Sequence, residues 1–165
     1  MAIGKVLMKG LGYGLTSGVI TTLGMMVGLN AGTGSKAAVL GGIMIIAVGD
    51  SMSDALGIHI SEEASAANKA ERDHSAAWGA SISTFIFKVI FASIFIIPVL
   101  LLPLDTAVWT SVAVGMFLIA LFSYIFAKRQ EASVVHVVGE HLAIAILVVI
   151  LTHLIGDAVS YFFPQ

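Results

Sequence analysis

Five stretches of mainly apolar residues constrain this chain more than any motif, because each is close to the ~20 residues that a helix needs to cross a bilayer. They run from about Leu11 to Leu29, Ala37 to Ile60, Ala77 to Leu102, Ala107 to Ala127 and Val134 to Phe163. The separators carry turn chemistry. Asn30–Lys36 sets two glycines among polar breakers, Ser61–Ser75 is the one substantial polar segment, and Pro103–Asp105 and Lys128–Ser133 are brief. Only 11% of the residues are charged, against about 25% in a soluble domain. The expectation is an all-α, polytopic membrane protein with five transmembrane helices in one domain, residues 1–165, with lipid as its solvent. The run behind Lys5 and Lys9 superficially resembles a signal peptide, but it is long enough to span.

Several classes drop out. The chain has no cysteine, which excludes disulfides and thiolate metal sites. Net charge is near zero and no basic patch or zinc-finger spacing is present, so no nucleic-acid partner is expected. Orientation follows from the bias of Lys and Arg toward cytoplasmic loops. One side of a five-span chain collects Lys5, Lys9, Lys69, Arg72, Lys128 and Arg129; the other has only Lys36. The N-terminus is therefore expected in the cytoplasm and the C-terminus on the opposite side.

The first span carries small residues at spacings of three and four: Gly14, Gly18, Thr21, Gly28 and Gly32, with Met25 among them. Such a stripe lets two helix backbones approach closely in lipid. It reads either as a homodimer seam or as packing against another helix of the same chain. Pro98 predicts a kink in the third span. Gly49–Ser53 (GDSMS) and Gly156–Ser160 (GDAVS) form a faint internal echo, of the kind repeats leave in transporters.

The chemistry lies in charges where lipid should be. A charged side chain at the bilayer centre costs at least about 2.5–3.5 kcal/mol. Asp50 falls near the middle of the second span, and Asp54 follows one turn later on the same face. Two such carboxylates share a proton or hold a cation between them. Ser51 and Ser53 add oxygens. Met52 lies about 200° around the helix from both acids, so it reaches their site only across a helix interface. Lys88, in the third span, matches Asp50 in depth and is expected to pair with Asp50 or with Asp157. In the fifth span, His136/Glu140 and His153/Asp157 form two pairs one turn apart, suited to proton transfer, while His141 reads as interfacial. His59 stands three and four residues before Glu62 and Glu63, which would place a cation-binding mouth at the cytoplasmic end or merely a solvated helical extension.

The layout resembles the vacuolar iron transporter family. Ser17–Gly28 (SGVITTLGMMVG) resembles its first-helix pattern, an Asp-Gly followed by a threonine pair. Ser53–Ser61 (SDALGIHIS) resembles its second-helix Ser-Met-x-x-Gly-Glu-Tyr-x-Ser. Ser83–Pro98 resembles its third helix, and His153–Gly156 its Tyr-Leu-x-Gly. The resemblance covers most of the chain. It implies a homodimer whose first helices line a path for Fe²⁺ and related divalent metals, exported from the cytoplasm against protons. The family's first-helix aspartate falls at Ser17, its second-helix methionine at Asp54, its glutamate at Ile58 and its tyrosine at His59. Acid lost at Ser17 and Ile58 is offset by Asp50 and Asp54.

The function expected is a proton-coupled divalent metal transporter for Fe²⁺ or Mn²⁺, with Co²⁺ or Zn²⁺ in range of the ligand set and no permanently bound cofactor. The metal would use Asp50, Asp54, Met25 and Met52 at mid-depth, and His59, Glu62 and Glu63 at the mouth. Lys88, His153 and Asp157 would serve coupling. A transporter requires water to reach Asp50 and Asp54, whereas a non-transporting scaffold or sensor requires them paired and dry. A further alternative is an intramembrane aspartyl protease, its dyad formed by Asp50 and Asp157; Ala47 stands where such proteases carry a glycine.

Overall fold

The computed structural model describes residues 2–65 and 74–163, so Lys69 and Arg72 of the polar segment lie outside the described residues. Among the described residues all regular structure is helical: α1 (Ala2–Thr33), α2 (Lys36–Ile45), a π-helical turn (Ile46–Asp50), α3 (Ser51–Ser65), α4 (His74–Ser93), α5 (Ile96–Leu101), α6 (Leu104–Arg129) and α7 (Val134–Phe162). They form five rods long and apolar enough to cross a membrane: Val6–Thr33, Lys36–Ser65, His74–Leu101, Leu104–Arg129 and Val134–Phe162. At 1.5 Å per residue the rods are about 40–45 Å long, which exceeds a ~30 Å hydrocarbon core. Their outward faces carry Ile86, Ile90, Phe117, Leu147, Leu151 and Leu154 exposed, an apolar surface far larger than a soluble monomer leaves to water.

The rods overrun the apolar stretches at most ends. Of the expected breaker Asn30–Lys36, only Gly34 and Ser35 leave the helix. Gly34 takes the left-handed φ of 58°, which glycine adopts without steric cost. Ser35 then caps α2, its Oγ accepting the Ala38 N–H at 3.2 Å. Lys36 ties this end to the third rod, donating to the carbonyls of Leu100 and Leu102 at 3.2 Å each. The expected proline kink is present, three to four residues ahead of Pro98. Pro98 has no N–H for the Ile94 carbonyl. That carbonyl instead accepts from Ile97 at 3.3 Å, and the helix breaks between Ser93 and Ile96.

Helix α1 is the axis of the bundle and packs on α2, α4, α6 and α7. Two glycine stripes set this arrangement. A Cβ at Gly14 would lie 2.8 Å from the Thr84 carbonyl oxygen and 3.0 Å from the Lys88 nitrogen; one at Gly18 would lie 3.2 Å from the Lys88 carbonyl oxygen. Half-way along, the stripe turns to α7, where a Cβ at Gly28 would meet the Thr152 carbonyl at 3.2 Å. Gly156 of α7 returns the contact, its missing Cβ lying 2.4 Å from the Gly28 carbonyl.

Of the two readings of this stripe, packing within the chain is the one seen: the backbone faces at Gly14, Gly18 and Gly28, expected as a homodimer seam, are filled by α4 and α7 of the same chain. Thr21 sits half-buried beside them with its hydroxyl donated to the Ser17 carbonyl at 2.7 Å. The core closes around Leu15, Val19, Leu23 and Met26 of α1 with Phe95, Val108 and Ile119.

Gly156→Ala must push one backbone off another, and is expected to lower stability by about 1–3 kcal/mol. Gly41→Ala, where a Cβ meets nothing within 4 Å, is expected to be neutral or stabilising by up to about 1 kcal/mol. Thermal unfolding of the two variants in detergent beside the parent checks both signs.

Candidate functional site

The depth match anticipated for Asp50 and Lys88 holds residue for residue. Asp50 is the fifteenth of thirty residues in Lys36–Ser65, and Lys88 the fifteenth of twenty-eight in His74–Leu101. Lys88 is completely buried, at 0% exposure. Its Nζ donates to Asp50 Oδ2 at 2.5 Å and also to Asp54 Oδ2. Asp54 Oδ2 accepts a second bond, from Ser17 Oγ of α1 at 2.6 Å. One ammonium therefore bridges two carboxylates a helical turn apart, and a hydroxyl from a third helix completes the cluster. The pairing is with both acids of the second span; the alternative of an Asp157–Lys88 pair is corrected.

Local structure explains how the second span presents its acids. The helix passes through a π turn that ends at Asp50, where the Ser51 N–H reaches the Ile46 carbonyl five residues back. Ser51 is buried, and its Oγ donates to the same carbonyl at 3.4 Å. Insertions of this kind in helices gather at functional sites. The Asp50 side chain remains 38% exposed and the Asp54 side chain 19%. The acids are paired yet open on one side.

Charge bookkeeping defines the chemistry. Two carboxylates and one ammonium carry a net charge of −1 when all are ionised. A proton on either acid makes the cluster neutral, and so does a divalent cation that takes the place of the ammonium. Fully ionised, the cluster is one positive charge short of neutral.

The other expected ligands do not join it. Met52 is 61% exposed, on the far side of its helix as the 200° rotation requires. Met25 lies on Gly42, its sulfur 2.3 Å from where a Cβ would stand, about two helical turns, or ~12 Å, from Asp50. Glu62 is taken by Lys9. Glu63 Oε1 receives His59 Nε2 at 3.5 Å and His74 Nδ1 at 3.2 Å, joining the end of α3 to the start of α4. The His59 ring rests on Trp78 at 4.5 Å, and its Nδ1 is buried without a hydrogen-bond partner.

An apolar cleft of about 330 Å³ beside it is lined by Met52, Leu56, His59, Trp78 and Phe85 and contains neither acid. Among the described residues no three His, Asp or Glu side chains are arranged to hold a metal ion. Of the mid-depth ligands expected from the sequence, Asp50 and Asp54 meet and Met25 and Met52 stand apart; of those at the mouth, His59 and Glu63 meet and Glu62 pairs with Lys9.

The fifth span contributes local pairs only. His153 and Asp157 are 3.6 Å apart and His136 and Glu140 3.8 Å apart, all exposed. His141 is not merely interfacial: its Nδ1 lies 2.7 Å from Ser123 Oγ of α6. Asp157 is the twenty-fourth of twenty-nine residues in its span, far from the mid-depth of Asp50 and bound to a different partner, so no aspartyl dyad forms. Sequence reasoning left out Tyr13 and noted Ser17 only as a lost acid. Tyr13 stands one turn before Ser17, within electrostatic reach of Asp54, Lys88 and Asp50. Their signal was the polar spacing Tyr13, Ser17, Thr21, which runs beside the glycine stripe.

Compared with known proteins, the chain matches no family model, no curated protein and no solved structure.

Removing one partner of a buried ion cluster leaves the others uncompensated. Lys88→Met is therefore expected to lower stability by about 3–5 kcal/mol. Adding Asp50→Asn and Asp54→Asn to that variant is expected to restore most of the loss. Chemical unfolding of the single and triple variants in detergent measures the difference.

Proposed function

We propose that this chain is an integral membrane protein and that Asp50, Asp54 and Lys88 form the exchange centre of a proton-coupled divalent cation transporter. The observation that carries the reading is the unbalanced charge of the cluster, set at the middle of two spans with the Asp50 side chain 38% open. Protons and metal compete for the same carboxylates. Lys88 acts as the resident counter-cation: it neutralises one acid at rest and gives way when a divalent cation enters.

The resemblance to vacuolar iron transporters adds support. Of the four positions it singles out, Ser17 and Asp54 meet at 2.6 Å. An oxygen-rich site suits a harder cation such as Mn²⁺, whereas Fe²⁺ rests on the resemblance. The positive-inside bias orients the N-terminus to the cytoplasm, with metal moving outward from there.

A copy-to-copy seam, if helix one is fully occupied within the chain, falls on the second span. There Gly49, Ser53 and Gly57 are exposed at four-residue spacing, and a Cβ at either glycine meets nothing within 4 Å. That face adjoins the open side of Asp50. Since the chain has no cysteine, Ser53→Cys introduces its single thiol. Oxidation in vesicles is expected to trap that variant as a covalent dimer and to leave Leu151→Cys, exposed on α7, monomeric. Monomeric Ser53→Cys would remove this seam.

A static clamp is the competing reading, favoured by the hold of one buried ammonium on both acids. Proteoliposomes separate the two. With Mn²⁺ outside and a pH-sensitive dye inside, the parent is expected to move metal and protons in opposite directions. Asp50→Asn and Asp54→Asn are each expected to lose at least about tenfold in rate, equivalent to ~1.4 kcal/mol of barrier. Full flux in both variants sinks the exchange centre; no flux from the parent with any divalent metal leaves the clamp.

A further inference from the structure

A second charged feature lies at the end of the bundle that carries Lys9, Lys128 and Arg129. Here residues of α1 and α6 line a cleft of about 900 Å³. Its lining combines apolar side chains, Leu7, Met8 and Phe126, with polar ones, Lys9, Arg129 and Gln130. Two cations face this cleft and no carboxylate does. Lys9 also pairs with Glu62, on the α3 side. The Arg129 guanidinium is matched only weakly, its Nη1 donating to Met8 Sδ at 3.3 Å. Sulfur is a poor acceptor, and no carboxylate pairs with this guanidinium among the described residues. Lys128, one residue earlier, hangs 6.0 Å over the Tyr124 ring and adds to the positive field. The acids at this end are Glu62, paired with Lys9, Glu140, in the adjoining cleft on the α7 side and 3.8 Å from His136, and the exposed Glu131.

We infer that this cleft is a binding site for an anionic phospholipid, resting on the reading of the chain as a membrane protein. The chemistry fits one occupant on both counts. A phosphodiester carries one negative charge and accepts the planar Arg fork in two parallel bonds. Acyl chains need an apolar lining in the same cleft, which Leu7, Met8 and Phe126 supply. A soluble phosphate would use the polar side chains and leave the apolar ones wet. Basic pockets between helices at the headgroup level recognise such lipids, each cation near the surface contributing about 1 kcal/mol, or roughly fivefold in affinity.

Native mass spectrometry of the full chain in detergent, titrated with phosphatidylglycerol or phosphatidylcholine, tests the site. The parent is expected to retain phosphatidylglycerol in preference. Arg129→Gln is expected to cut that preference about fivefold, Lys9→Gln to cut it in the same direction, and Lys36→Gln, at the opposite end, to leave it intact. Unchanged preference in Arg129→Gln and Lys9→Gln overturns the proposal. So does equal competition by glycerol 3-phosphate, which has the anion and no chains. Insertion of the chain into pure phosphatidylcholine vesicles reports separately on the membrane reading, so the two can fail independently.

Discussion

Lys88 sits where it does because α1 has no side chain at Gly14 and Gly18. The two glycines let the α4 backbone come against α1, so close that a Cβ at Gly18 would stand 3.3 Å from the Lys88 side chain. That contact buries the lysine stem completely and sets the ammonium at the depth of Asp50 and Asp54. It also brings Ser17, one position before Gly18, into reach of Asp54. Helix packing and ion pairing are therefore one device. A side chain at either glycine would separate the helices and pull the charge away from its partners.

The second span is built to the opposite specification. It has few buried residues, a π turn in its middle and open glycines on its outer face. The π turn shifts the helix hydrogen bonds to i+5 at the point where Asp50 is presented. The acids thus stand on the loosely packed element and the ammonium on the closely packed pair α1 and α4. The site is open on the Asp50 side, twice as exposed as Asp54, with Asp54 and Ser17 forming the closed end.

The spans were legible in the sequence because apolar length is a one-dimensional property. Their ends were less so. Lys9 reads as a stop, yet α1 runs through it, because a lysine near a helix end carries its charge outward on an aliphatic stem and here finds Glu62. Asn30–Lys36 reads as a seven-residue loop, yet a capping serine and one left-handed glycine make the whole turn.

At the site, the shared face of Asp50 and Asp54 follows from their spacing, and Lys88 was reachable by depth alone. What spacing cannot contain is azimuth between helices. Nothing in the sequence says that Gly14 faces α4 while Gly28 faces α7, so the seam, the Ser17 contact and the idle positions of Met25 and Met52 were all beyond it. The His–carboxylate pairs of α7 were easy to read for the reason they proved minor: they are contacts within one helix.

The choice of lysine argues for exchange rather than permanent locking. Arginine, with its planar fork, holds two carboxylates bidentately and is never deprotonated. It would be the stronger clamp across a four-residue step. Lysine offers a point charge on a flexible stem, and it loses its proton when burial outweighs pairing. Two carboxylates on one ammonium leave the cluster one positive charge short of neutral. On the proposed reading, that deficit is the place for which a proton and a divalent cation would compete, and their coupling would need no second site.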